Sequence, residues 1–177
     1  TEDQRLALKA ASGDRAAFER LVRENYERIH GLAWRFTGGP PESEDLTQDV
    51  CMALGRKIRS FRGDALFTTW LYRIILNASR DARRSDLRRD RASSEFVEVD
   101  ADRRASDDDR ARRAAWLRFA IAGLKDDLRE TAVLVIDQGL THAEAAEVLQ
   151  LSEGTVSWRF AEIRKTLRRL AVAEGTV

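Results

Sequence analysis

From Phe18 to Phe36, apolar side chains recur every three or four residues: Phe18, Leu21, Val22, Tyr26, Ile29, Leu32, Ala33 and Phe36. A stripe of that length falls on one side of an α-helix and on no single side of a strand. The same spacing continues almost to the end of the chain, and no run alternates cleanly over strand length. These patterns predict an all-α protein. Its 177 residues suffice for one ordinary domain or two small ones.

Local signals set the expected elements. A short helix is expected from about Glu2 to Ala11, ended by Ser12 and Gly13, with Asp14 capping the long helix that follows. The run Gly38, Gly39, Pro40, Pro41 stops that helix. Glu42, Glu44 and Asp45 are expected in the first turn of a third helix, where negative charge suits the macrodipole. Leu46, Val50, Ala53, Leu54 and Ile58 point inward from it. A loop spans Phe61 to Asp64, and Asp64 can cap a fourth helix running from about Leu66 past Arg84.

Between Arg91 and Arg112 the periodicity fades into mixed charge, including Asp107, Asp108 and Asp109. This stretch is expected to be a solvated, flexible linker, helical at most in pieces. Fully extended, its roughly 22 residues reach about 70 Å, close to two turns of duplex DNA at roughly 34–36 Å each. The expected organisation is therefore a domain over 1–90, a linker over 91–112 and a second domain over 113–177. In the second domain, Trp116, Leu117, Ala120, Ile121 and Leu124 mark one helix face. Asp127 and Glu130 form a cap pair before Val133, Leu134 and Ile136, and Gly139 ends that helix.

The segment after Gly139 is the most specific local pattern. Thr141 and Glu144 form a capping box. Ala145, Ala146, Val148 and Leu149 supply a buried side, Gln150 and Leu151 turn the chain, and Ser152 caps a second helix. That is a helix-turn-helix, whose second helix enters the DNA major groove; a plain helical hairpin is the alternative.

Charge narrows the function classes. With 31 basic and 30 acidic residues the formal net charge is +1, so any nucleic-acid surface must come from segregated charge. The lone Cys51 excludes an intrachain disulfide and fits a reducing cytosol. No signal peptide is evident and no apolar run approaches the length of a membrane span, so a cytoplasmic protein without membrane insertion is expected. His30 and His142 stand alone on predicted helices, without metal spacing or a nucleophile partner. No catalytic residue, metal, cofactor or small-molecule substrate is expected.

Three segments together resemble the extracytoplasmic-function sigma factors, the compact two-domain class of the main bacterial sigma family. EDLTQDV (Glu44 to Val50) is similar to the family's polymerase-docking helix. SFRGDALFTTWLYRI (Ser60 to Ile74) is similar to its promoter-melting segment. GTVSWRF (Gly154 to Phe160) is similar to part of its C-terminal recognition helix. The resemblance covers about residues 14–90 and 113–171, and three segments in this order are far more specific than any one. It implies a transcription initiation factor and no enzyme. A helix-turn-helix regulator acting without polymerase would need neither of the first two segments.

The resemblance also implies site residues. Asp45, Gln48, Asp49 and Met52 share one helix face at three- and four-residue spacing and would dock on core RNA polymerase; the bland alternative is a solvated acidic face. Arg62, Gly63, Asp64, Thr68 and Thr69 would surround a base pulled from the −10 element. Arg73, Asn77 and Arg80 would track the separated strand, through salt-dependent phosphate contacts and polar groups. Phe61, Phe67 and Trp70 are either core or base-stacking platforms, with core the commoner fate, and Asp64 is a pocket residue or only a cap. Thr155, Ser157, Trp158, Arg159, Glu162, Arg164 and Lys165 would face the −35 duplex, with Val156, Phe160, Ile163 and Leu167 as core. Here the chain departs from the commonest pattern: a basic residue is frequent where Ser157 and Glu162 stand, and a small hydroxyl residue where Trp158 stands. Glutamate can still accept from cytosine N4. An anti-sigma factor is the further partner the resemblance implies.

Overall fold

The computed structural model describes residues 1–90 and 109–173. Every regular element among them is helical, and the chain divides into two compact units, Thr1–Val97 and Glu98–Val177. The tether expected over 91–112 lies outside the described residues as far as residue 108. Its last four residues belong to a helix, Asp109–Ala122, within a stretch expected to be helical at most in pieces.

In the first unit, α1 (Glu2–Ala11) starts at Thr1, whose hydroxyl accepts from the Gln4 amide at 3.3 Å. Helix α2 (Arg15–Thr37) starts at Asp14, whose carboxylate accepts from the Ala17 amide at 3.0 Å, and ends at Gly38 with φ +81°. The chain turns at once into α3 (Pro40–Lys57). Pro40 and Pro41 thus do more than stop α2: a proline at the first helical position lacks only an amide that had no partner there, and its fixed φ is already helical. Because α3 begins at Pro40, only Glu42 lies in its first turn, and Glu44 and Asp45 fall in the second. Ile58 belongs to a 3₁₀ turn, Ile58–Ser60, after which the chain passes through a loop to α4 (Phe67–Asp90).

Helix α1 packs on α2, and Leu6, Ala7, Ala10, Leu21, Ile29, Leu32, Phe36, Leu46, Val50, Leu54, Leu71 and Ile75 are buried in this unit's core. Each fully buried Leu, Ile or Phe is worth about 1.5–3 kcal/mol. Tyr26, expected inside, is 46% exposed and stacks on His30 one turn later, ring centroids 6.4 Å apart. The inward position belongs to Asn25, which is 1% exposed. Burial of its amide is compensated: Nδ2 donates to the Leu21 carbonyl (3.0 Å) and to Asp3 (3.3 Å), and Oδ1 accepts from Arg28 (2.6 Å).

The second unit comprises α5 (Asp109–Ala122), α6 (Asp126–Ala132), α7 (His142–Leu149) and α8 (Glu153–Ala173). Helix α6 starts after Lys125 without a side-chain cap, so Asp127 and Glu130 are not the expected cap pair; Asp127 lies in the first turn and Glu130 is buried. Beyond Ala132 the helix widens into a π-helical turn, Val133–Asp137, and Gly139 (φ +69°) reverses the chain before α7. Ala120, Ile121, Leu124, Val133, Leu134, Ala145, Val148, Leu149, Val156 and Ile163 form this unit's separate core.

Candidate functional site

Three outward surfaces collect the residues singled out by the sequence. The first lies on α3. Leu46, Thr47, Val50 and Leu54 are buried, which leaves Asp45, Gln48, Asp49 and Met52 exposed together on the opposite side. Met52 is 53% exposed and puts a deformable thioether among two carboxylates and an amide. Such a face suits a partner that is cationic at its rim and apolar at its centre. Cys51 beside it is half-buried, and that burial pushes its thiol pKa up, away from reactivity.

The second surface is the loop 61–66 with the start of α4. Phe61 and Phe67 are buried, and with the half-buried Trp70 they form one aromatic cluster: centroids are 5.2 Å apart for Phe61–Trp70 and 6.0 Å for Phe67 with either neighbour. Their fate is core, and they anchor both ends of the loop. Between these anchors Arg62, Asp64 and Leu66 face water, with Leu66 55% exposed. The α4 amide of Phe67 donates to Gln4 Oε1 at 2.7 Å, so the cap comes from α1 and not from Asp64. Along α4, Asn77 is exposed, Thr68, Arg73 and Arg80 are half-buried, and both arginines already take part in interactions. Thr69, expected beside a base of the −10 element, does not face outward: at 7% exposure it lies in the interior. The periodicity is correct, but α4 packs against α2 and α3 and its buried sector is wider than the spacing alone indicates.

The third surface is the helix-turn-helix. Thr141 accepts from the Glu144 amide at 3.2 Å while Glu144 accepts from the Thr141 amide at 2.8 Å, completing the capping box. Gln150 ends α7 in the left-handed region (φ 58°), and Ser152 accepts from the Thr155 amide at 3.1 Å to open α8. Val156 and Ile163 are buried, and Phe160 and Leu167 half-buried. Ser157, Trp158, Arg164 and Lys165 are exposed, Trp158 to 62%; Thr155 and Glu162 are half-buried. Arg159 differs from the outward residue the sequence suggests. Its guanidinium turns to the start of α6, donating to the Asp127 carbonyl at 3.3 Å and lying 3.7 Å from the Asp127 carboxylate, and its side chain is 16% exposed. His142 Nδ1 lies 2.9 Å from Ser157 Oγ, so the first helix of the motif steadies a hydroxyl on the second.

Gln4 and Leu8, which touch the loop 61–66, carry no signal in the sequence. Both belong to α1 and touch the loop across some sixty positions, a relation that no local pattern encodes.

Comparison with known proteins gives this arrangement a context. Residues 21–89 match the Sigma-70 region 2 family. The ECF RNA polymerase sigma factor SigM of Mycobacterium tuberculosis is 34% identical across 95% of this chain and 84% of its own length. The structure of CnrH in complex with the cytosolic domain of CnrY is similar at a TM-score of 0.73 and 29% identity, over 98% of this chain and 99% of CnrH. The fold also matches the sigma factor RpoE of Bartonella quintana, solved with the anti-sigma factor NepR, at a TM-score of 0.70 and 24% identity over 86% of this chain and 95% of RpoE.

Proposed function

This chain belongs to the ECF family of RNA polymerase sigma factors, transcription initiation factors that bind core RNA polymerase and are not enzymes, and we propose that its two units divide that work as follows. The α3 face of Asp45, Gln48, Asp49 and Met52 docks on core polymerase. The loop with Arg62, Gly63, Asp64, Thr68 and Thr69 receives a base flipped from the −10 element. Thr69 contributes there from beneath, as a buried wall of the pocket. Arg73, Asn77 and Arg80 hold the separated strand. In the second unit α8 enters the −35 major groove, with Ser157, Trp158, Arg164 and Lys165 foremost, Thr155 and Glu162 at its edge, and Arg159 holding the helix to α6.

The observation that carries this reading is the sorting of charge. On a chain of net charge +1, α3 turns Asp45 and Asp49 outward, while α8 bears five cationic residues against two acidic ones. A chain without bulk positive charge attracts phosphate only through such local excess. The work is cytoplasmic, where promoter DNA and polymerase meet. None of the helices among the described residues is long and apolar enough to cross a membrane. The solved complex of CnrH with the cytosolic domain of CnrY supports a protein partner for this chain, which we place in the anti-sigma class.

Run-off transcription with core polymerase on genomic fragments tests the reading. Discrete start sites that require this chain are expected, with two shared elements upstream. Tight duplex binding without initiation would overturn it. Within the same assay Asp49→Ala should weaken core binding by about 1 kcal/mol, roughly fivefold. Arg80→Ala should slow open-complex formation about tenfold with little effect on core binding. Equal loss of both by Arg80→Ala would refute the division of labour.

A further inference from the structure

The loop 61–66 contributes almost nothing to its own order. Among the described residues, the amides of 62–66 donate no backbone hydrogen bond; such bonds appear only at the ends, from Phe61 to Ile58 and from Trp70 to Leu66. Between its aromatic anchors, Phe61 and Phe67, the loop's backbone is hydrogen-bonded from outside, by Gln4 of α1. Gln4 Nε2 donates to the Ala65 carbonyl at 3.3 Å, and Gln4 Oε1 accepts from the Phe67 amide at 2.7 Å. A carbonyl and an amide two residues apart, both on one side of the chain, are the pattern that a neighbouring strand would satisfy. A carboxamide is the side-chain group that offers a donor and an acceptor in one plane with that spacing. The two contacts also fix which way the amide points, since the flipped amide would set donor against donor and acceptor against acceptor.

One turn along α1, Leu8 closes the other side. Gly63 has φ +82°, and a Cβ built on it would lie 3.2 Å from Leu8 Cδ2. The loop backbone therefore lies directly on α1 at Gly63 and is gripped by it at Ala65 and Phe67. Helix α1 cannot drift with the loop. Leu6, Ala7 and Ala10 are buried, and Asp3 accepts from Asn25 at 3.3 Å and from Arg28 at 3.4 Å on α2. A continuous chain of contacts thus runs from the α2 core through α1 to the loop.

We infer that Gln4 is a positioning residue for strand opening: its carboxamide holds the loop 61–66 in the shape that accepts an unpaired base, and Leu8 sets how deep that loop can sit. The inference rests on the assignment of this loop to the −10 base. A loop with no internal bonds would otherwise sample many shapes, and each binding event would have to order it. Two hydrogen bonds from a fixed helix remove that cost beforehand.

The test uses the full chain assembled with core polymerase on a promoter found by run-off transcription. Gln4→Met keeps the length of the side chain and removes both contacts; Gln4→Glu keeps the acceptor and removes the donor. Opening is followed by permanganate reactivity of unpaired thymines, core affinity by titration, and base preference by placing each of the four bases at the position to which the parent chain is most sensitive. We expect Gln4→Met to open the promoter about five- to tenfold more slowly, to lose discrimination at that one base, and to bind core within twofold of the parent. Gln4→Glu should fall between. Parent-like opening and base preference in Gln4→Met would overturn the inference, as would a parallel loss of core binding in both variants, which would make Gln4 a general fold contact. Arg62→Ala and Asp64→Ala separate the two levels. If they impair opening while Gln4→Met does not, the clasp fails and the loop assignment stands. If they leave opening and base preference untouched, the loop assignment itself fails.

Discussion

The carboxylate of Glu144 accepts from both the amide and the hydroxyl of Thr141, at 2.8 and 2.7 Å. These bonds, the backbone one first, hold its pKa below the ordinary value of 4.5. A group whose pKa is depressed by folding contributes stability above its unfolded pKa and loses it as pH falls through the folded value. Acidification below about pH 4.5 should therefore weaken the second unit, and Glu144→Gln, which can still accept but does not titrate, should show a smaller drop in Tm over that range. Thermal melts across the acid range check this; identical pH profiles would remove Glu144 as a source. Residues of this kind were legible because cap and partner lie three positions apart. Asn25 and Gln4 were not: Asn25 is polar at a core position, and its partners include Asp3, twenty-two residues away. Gln4 acts across more than sixty positions. Arg159 was misplaced for the same reason, since Asp127 becomes its neighbour only after the second unit folds.

At the scale of elements, the helix ends show how far local chemistry reaches. Gly38 sits at φ +81° with open space around it, and Gly31 lies within α2, also with open space around a would-be Cβ. Adding one methyl at each should have opposite effects. Gly38→Ala forces an L-residue into the left-handed region and should cost about 1 kcal/mol. Gly31→Ala should stabilise by about 0.5–1 kcal/mol, through higher helix propensity and a less entropic unfolded chain. Denaturant unfolding of the pair measures both, and equal signs would contradict the assigned backbone. The boundaries of α1, α2 and α7 were readable from Ser, Asp, Thr and Gly at their ends. The start of α3 was half-readable, because Pro40 and Pro41 look like a stop from one side and are a first turn from the other. The π-helical turn after α6 had no sequence signal: Val133 to Asp137 is spaced like ordinary helix, with Val133 and Leu134 buried as in one.

The whole molecule contains two cores. Leu71 is fully buried in the first unit and Leu134 is 1% exposed in the second. Leu71→Ala and Leu134→Ala should each cost about 2–5 kcal/mol, and each should move only one of two unfolding transitions seen by calorimetry. A single transition shifted equally by both substitutions would mean that the units unfold as one. A division into two units is visible in the sequence as a loss of periodicity after Arg91, where mixed charge replaces the apolar stripe. The near-cancelling charge has a consequence for the protein as a solute. With 31 basic and 30 acidic residues, copies gain little mutual repulsion from net charge, while the outward carboxylates of α3 and the cations of α8 attract one another between molecules. Low-salt solutions should then be the ones in which the protein precipitates, and added salt should dissolve it.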